Sequence, residues 1–410
     1  MVKGIRSAGP KHEEFTKWTK SQNIKINGVA AARFPGKGVG IVALRDINAG
    51  EVVVSVPRSS MLSIEKIPKE FQEKFPKDIA VLALFAAYLC CGGEFKQTYP
   101  LWRAVWPTHE DFEEYLPILW LEQLRALLPP AASGKWSTLT KRQPGSPEYD
   151  SDPQNILPKQ QEKLEKGFHA VKQVFPEVSF EEYSYYWLAS NTRCFYYVPA
   201  GAKPPKDRND AMALCPFADY FNHTDEGVSC KVLYDDYEYS FQADRSYDKG
   251  EELFVSYGNH TNDVLLTEYG FVPEQNKWDA IFLDDVILKD LSGENLQDLE
   301  WERYLGNYQI TDSGPCFRTE MAACIKYMPA EDWARYAAGD QPQSFSQKKT
   351  NAIISGWIRE YVKEANHAIL ELTKILEEGG GSSVDSRAQT ILRRWRQILA
   401  LCNTVLESLN

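Results

Sequence analysis

The sequence predicts an α+β protein in which a strand-rich unit is split by a helical insert and followed by an all-helical C-terminal domain. Three observations carry that prediction. Strand-like texture occurs in two separated blocks, one before about residue 65 and one from Asn191 to Tyr257. Helical spacing fills the interval between them and nearly everything after Trp278. Strands and helices do not alternate along the chain, which favours a strand-rich unit split by an insertion over a doubly wound parallel sheet.

The elements follow in order. The first sixty residues read as strands and turns: FPGKGVGIVAL sets a glycine turn before an apolar run, and Val52–Val56 is β-branched and ends at Pro57. From Pro68 the texture is helical, with helices predicted over Ile79–Cys91, Thr108–Leu116 and Leu119–Leu128. Thr140–Pro158, rich in Pro, Ser and charge, reads as a mobile loop, and helix resumes over Lys159–Val174. DYEYSFQAD and LFVSYG alternate as strands around a turn at Asp248–Glu251. Asn351–Leu376 repeats apolar residues at helical spacing, glycines at 379–381 break it, and Ala388–Leu409 forms a last helix.

Composition narrows the function classes. Hydrophobic residues make up 43% and charged residues 25%, the balance of a globular chain. At roughly 150 residues per domain, 410 residues suggest two or three domains. The 46 Lys and Arg against 57 Asp and Glu give a net charge of −11, which argues against nucleic-acid binding and suits a basic protein partner. No apolar leader is expected at the start, and Ile79–Cys91 is too short to span a bilayer. The 8 cysteines lack zinc spacing, so reduced thiols, no metal and a cytoplasmic or nuclear location are expected.

Three segments could carry chemistry, and each is weak alone. Gly36-Lys37-Gly38-Val39-Gly40 is neither a phosphate loop nor a dinucleotide fingerprint, because a strand follows it, so a plain turn is the simpler reading. Asp219-Tyr220-Phe221-Asn222-His223 could be read as metal ligands at Asp219 and His223, but no third ligand accompanies them. Glu251–Gly258 ends in Tyr257-Gly258, and Glu268-Tyr269-Gly270-Phe271 follows; such aromatics commonly fill cores.

Their order is more specific than any piece. The glycine turn, Arg193-Cys194-Phe195, Asn222-His223, Tyr257-Gly258 and Tyr269-Gly270-Phe271 succeed one another across the two strand-rich blocks. That set resembles the SET-domain methyltransferases. With the long insert, TYPLWRAVWP, EEYLP, LCPFADYFNH and the helical tail, it is similar to their Rubisco large-subunit methyltransferase branch. The resemblance implies a SET β-fold with a pseudoknot and four segments: 1–65, a helical insert at 66–185, 186–275 with the cofactor and catalytic motifs, and a helical substrate-binding domain at 276–410.

The same resemblance implies residue roles. Lys37, Gly38, Val39 and Gly40 would lay backbone against S-adenosyl-L-methionine, and Arg193 would hold its methionine end. Asn222 would bond its amino acid portion, the His223 backbone its adenine, and Phe271 would stack on the adenine. Tyr257 would be the catalytic tyrosine and also touch the cofactor, Phe195 and Tyr269 would line the channel for the target side chain, and Asp219 would steady the threaded segment. His260 and Lys249 are expected on the solvent side.

The implied activity is lysine methylation of a non-histone protein, a ribosomal protein or translation elongation factor, by a monomer without direct nucleic-acid or membrane contact. Methyl transfer to an amine is an in-line displacement that depends on positioning. A lysine of pKa about 10.4 must lose its proton, and an aromatic channel beside a sulfonium favours the neutral form. Two alternatives stand beside this. A protein-histidine methyltransferase of the same branch acts on actin and has Asn where Phe195 stands and Ser where Tyr269 stands; Phe195 offers imidazole no polar partner. A non-catalytic SET-fold binding module would have lost residues that are all present here.

Overall fold

The computed structural model describes residues 6–93, 99–135, 154–199, 201–205, 210–225, 227–379 and 381–409. The chain forms two compact units, one from residues 1–112 and 161–259, the other from 113–160 and 260–410. Residues 113–160, read from sequence as part of the insert, thus group with the C-terminal segment.

The strands of the first unit are β1 (Arg6–Ser7), β2 (Lys25–Ile26), β3 (Val29–Phe34), β4 (Gly38–Ala43), β5 (Val52–Pro57), β6 (Leu62–Ser63), β7 (Cys194–Tyr196), β8 (Met212–Leu214), β9 (Asn222–His223), β10 (Lys231–Tyr234), β11 (Glu238–Gln242) and β12 (Glu252–Val255). They assemble as β1-β3-β4-β12-β9, β10-β11-β5-β2 and β6-β8-β7. The β-branched run that marked β5 places Val53, Val54 and Val56 in the core, on both faces of the strand. One pairing shapes the site: β12 runs antiparallel to β4 but parallel to β9, with Phe254 opposite Asn222 and Val255 opposite His223. The Cys230 N–H donates to the Phe254 carbonyl at 2.8 Å, so the chain that follows the Asn222-His223 segment is tied to β12 as well.

Helix Val81–Cys91 is buried almost all round, as its unbroken apolar run predicts, and packs against helix Phe180–Asn191. The latter starts at Ser179, whose Oγ accepts the Glu182 N–H at 3.1 Å. Helix Pro10–Ser21 lies where strands and turns were expected. Only His12, Phe15 and Thr19 of this charged segment are buried, a stripe at helical spacing that packing rather than composition stabilises.

In the second unit, helices Gln347–Glu378 and Ser382–Ser408 pack as an antiparallel pair joined through Gly379 at φ +69°. The C-terminal domain is not wholly helical. A small sheet, β13 (Ile281–Phe282), β14 (Gln309–Thr311) and β15 (Gly314–Pro315), lies within it, its strands too short to leave a period-two pattern. The helix expected over Leu119–Leu128 is a 3₁₀ turn, Pro117–Leu119, and a short helix, Glu122–Arg125, broken where the chain is extended at Trp120. The expected loop 140–158 lies outside the described residues up to 153, and helix already begins at Ile156. The Trp395 indole N–H donates to the Leu127 carbonyl at 2.8 Å, fixing the insert residues to the last helix. No described helix is long and apolar enough to cross a membrane.

Candidate active site

The glycine turn and the β9–β12 pair build one neighbourhood in the first unit. Gly38, at φ +75°, turns β3 into β4, and such a φ favours glycine. Gly40 is constrained differently: a Cβ there would sit 2.6 Å from Asn222 Nδ2 and 2.5 Å from Glu252 Oε1. Glycine therefore allows the turn to close on these two side chains. Asn222 Nδ2 donates to Glu252 Oε1 at 2.7 Å, and Lys37 Nζ lies 3.4 Å from Glu252 Oε2 and 4.7 Å from the centre of the Phe254 ring. Burial raises the Glu252 carboxyl, with the Asn222 bond and the Lys37 charge opposing it.

The segment before β9 is strained. Phe217, fully buried, is held at φ +70° and ψ −40°, a conformation that costs a non-glycine residue about 1–3 kcal/mol. It turns the chain into the 3₁₀ turn Ala218–Tyr220, which delivers Asn222 and His223 to β12. Asp219 accepts the Trp102 indole N–H at 3.0 Å. Burial raises its carboxyl, and the nearby Arg193 charge and that hydrogen bond pull the other way. Arg193 follows the helix Phe180–Asn191, and its Nε is buried without a protein partner. A buried guanidinium N–H in that state suits an anionic group.

Tyr257 is tied at both ends. Its hydroxyl donates to the Phe221 carbonyl at 2.8 Å, and its backbone N–H donates to His223 Nδ1 at 2.9 Å. Since Nδ1 accepts, the imidazole proton sits on Nε2, which donates to Asp225 Oδ2 at 2.8 Å. Burial pushes the Tyr257 phenol up to about 12, with Arg193 opposing. The Phe195 ring meets Phe241 edge-on at 5.6 Å and Tyr239 at 6.4 Å, so its surroundings are aromatic.

Thus Lys37, Gly38, Val39, Gly40, Asn222, His223 and Tyr257 converge through the β4–β12–β9 ladder, with Arg193 electrostatically coupled to Tyr257 and Asp219. Tyr269 and Phe271 belong to the second unit. There Leu265–Tyr269 forms a π turn ended by Gly270 at φ +81°, and the two rings lie 6.4 Å apart. A Cβ on Gly270 would lie 2.6 Å from the Tyr115 carbonyl oxygen. Lys249 is exposed, as expected. His260 is instead half-buried, 6.2 Å from the Tyr269 ring, and its carbonyl accepts from Asn276 Nδ2 at 2.8 Å.

Glu252, the strain at Phe217 and the His223 ring as a strut carry no local signal in the sequence. Glu252 stood in the sequence beside Glu251, but only strand register shows which carboxylate faces Asn222. Among the described residues no group of three or more His, Cys, Asp or Glu could hold a metal ion.

Comparison with known proteins fits this geometry. The SET domain family model matches residues 38–258. SET domain-containing protein 4 of Homo sapiens is 24% identical over 378 residues, covering 87% of this chain and 82% of that protein. A ribosomal lysine N-methyltransferase of Schizosaccharomyces pombe is 27% identical over 310 residues, 75% of this chain and 72% of its own. An actin-histidine N-methyltransferase of Drosophila melanogaster is 24% identical over 276 residues, 66% of this chain and 50% of its own. Among solved structures, the SET domain of LSMT bound to methyllysine and AdoHcy superposes with a TM-score of 0.62 at 17% identity, covering 98% of this chain and 93% of that one. The fold is that of LSMT, and the chain belongs to the SET-domain family.

Proposed function

We propose that this chain is an S-adenosyl-L-methionine-dependent protein-lysine N-methyltransferase acting on a ribosomal protein or translation elongation factor. The observation that carries the reading is Tyr257, its backbone fixed by His223 and its hydroxyl bonded to the carbonyl of Phe221, whose ring stacks on Phe241, the ring that Phe195 meets edge-on. The residues fit the cofactor: Arg193 Nε is a buried donor without a protein partner, and the Gly38–Gly40 turn brings backbone close to Asn222. Arg193 would take the carboxylate, Asn222 the amino group, the His223 backbone the adenine, and Lys37–Gly40 the backbone contacts. When bound, the cofactor supplies an electrophilic methyl group on a sulfonium.

Every other part falls to the protein. The Tyr257 O–H donates to the Phe221 carbonyl, and a phenol oxygen is also an acceptor, the chemistry needed to take an amine N–H and aim the amine lone pair. A phenol pushed up to about 12 stays protonated at neutral pH, so Tyr257 orients rather than abstracts. Phe195 would line the target channel; an apolar wall disfavours ammonium and lowers the lysine pKa. We assign 1–65 and 186–275 to catalysis and 276–410, acidic like the whole chain, to docking a basic substrate.

The relatives supporting lysine include two yeast ribosomal lysine methyltransferases, and Phe195 offers imidazole no hydrogen bond. The test is incubation with methyl-labelled cofactor and purified ribosomal proteins, elongation factors or actin, followed by hydrolysis of the labelled band. Methyllysine on a ribosomal protein or elongation factor is the expected product. Methylhistidine would overturn the lysine assignment, and absence of transfer together with absence of cofactor binding would leave a binding module.

A further inference from the structure

Glu252 occupies a position that nothing in the activity described above uses. Its side chain is 8% exposed, on β12 opposite Val42 of β4, and its two oxygens go to different partners. Oε1 accepts the Asn222 amide N–H at 2.7 Å, and Oε2 faces Lys37 Nζ at 3.4 Å. The absence of a Cβ at Gly40 keeps this arrangement open, since that atom would fall 2.5 Å from Oε1. A buried carboxylate held by two partners from separate parts of the chain is costly to place and does something for its neighbours.

What it does follows from donor and acceptor chemistry. An ionised carboxylate only accepts, so Asn222 must turn its NH₂ toward Glu252 and its carbonyl oxygen the other way. That oxygen has no protein partner among the described residues. We propose that Glu252 is a positioning residue: it locks the Asn222 amide so that Oδ1 is presented as an acceptor to the α-ammonium group of the S-adenosyl ligand. This rests on the functional reading above. Without the lock, the amide can present its NH₂ instead, which repels an ammonium.

The ionisable groups set against Glu252 are Lys37 from the glycine turn and Tyr257 beyond the end of β12, the latter neutral; Asn222 of β9 is uncharged. Protonating Glu252 would release the lock, because a carboxylic acid both donates and accepts. Ligand affinity should therefore fall as pH drops toward the raised Glu252 range.

The experiment is calorimetric titration of the full chain with S-adenosyl-L-homocysteine between pH 5 and 8, with melting temperatures recorded in parallel. Wild type should bind, more weakly at the acid end. Glu252→Gln should bind about tenfold more weakly at pH 8 and lose the pH dependence, because glutamine can face either way. The role-exchanged double variant Asn222→Asp with Glu252→Gln should recover to within about threefold of wild type, since the new glutamine can donate to the new aspartate, whose second oxygen takes the ammonium. Wild-type affinity in Glu252→Gln overturns the positioning role and leaves the cofactor reading intact. Failure of the double variant to recover, or losses that follow melting temperature alone, overturns it as well. Failure of wild type to bind removes the cofactor reading and this inference together.

Discussion

His223 Nδ1 accepts the backbone N–H of Tyr257 at 2.9 Å, across the parallel β9–β12 pair. The imidazole is itself held by Asp225 at 2.8 Å and is almost fully buried. A histidine therefore sets where the tyrosine backbone leaves the sheet, and with it where the phenol reaches the Phe221 carbonyl. Two motifs that are 34 residues apart in sequence are one mechanical unit.

Replacing Tyr257 by Phe removes only the hydroxyl. Fold and cofactor affinity should be retained, while turnover at saturating cofactor falls by about 10²-fold, the scale of losing an orienting contact. Single-turnover methyl transfer, with calorimetry of cofactor binding as the control, measures this. A near-wild-type rate would remove Tyr257 from the mechanism.

Asn222→Ala should weaken cofactor binding by about 1–3 kcal/mol, because a ligand polar group and Glu252 both lose their partner. Unchanged affinity in a folded variant would show that the ligand does not lie against this motif.

Acid sensitivity should trace in part to His12. Burial lowers its pKa to about 4, and its Nδ1 meets the Tyr220 hydroxyl at 2.7 Å. The unfolded chain, at about 6.5, binds the proton more readily, so the stability from neutral His12 is complete above pH 6.5 and is lost as pH falls toward 4. Melting temperature should decline over that window, and His12→Gln should flatten the decline. An identical pH profile in the variant would exclude this source.

Arg394 is fully buried between Asp263 at 2.7 Å and Asp279 at 2.6 Å. Arg394→Met leaves two carboxylates without their counter-charge and should cost about 3–5 kcal/mol. Denaturant unfolding reads that loss, and a change within about 0.5 kcal/mol would mean that the site repacks.

A basic substrate should feel the net charge of −11. Its methylation efficiency should fall as salt rises past physiological strength, where screening already acts over about 8 Å, while cofactor affinity changes little. Salt-independent efficiency would rule out electrostatic docking. Truncation after Trp278 is a poorer probe of docking, because it strips the Leu127 carbonyl of its Trp395 partner and should give insoluble protein.

Much of this chain was legible from its residues because the signals are local or ordered. The β-branched run of β5, the all-apolar helix Val81–Cys91 and the long C-terminal helices follow from side-chain period and propensity, which act within a few residues. The ordered set from Lys37 to Phe271 named the family, since five motifs in one order are far more specific than any one. Helix Pro10–Ser21 and the small sheet β13–β15 were not legible, because burial by distant chain stabilises segments whose own pattern is weak. Glu252 became part of the site only when strand register set it opposite Asn222 and Gly40. The positive φ of the buried Phe217 and the imidazole holding Tyr257 likewise depend on chain brought together from far apart. Residue types and their order are written in the chain, whereas their contacts are set by the fold, because hydrogen bonds and burial act over ångströms in space whatever the separation along the chain.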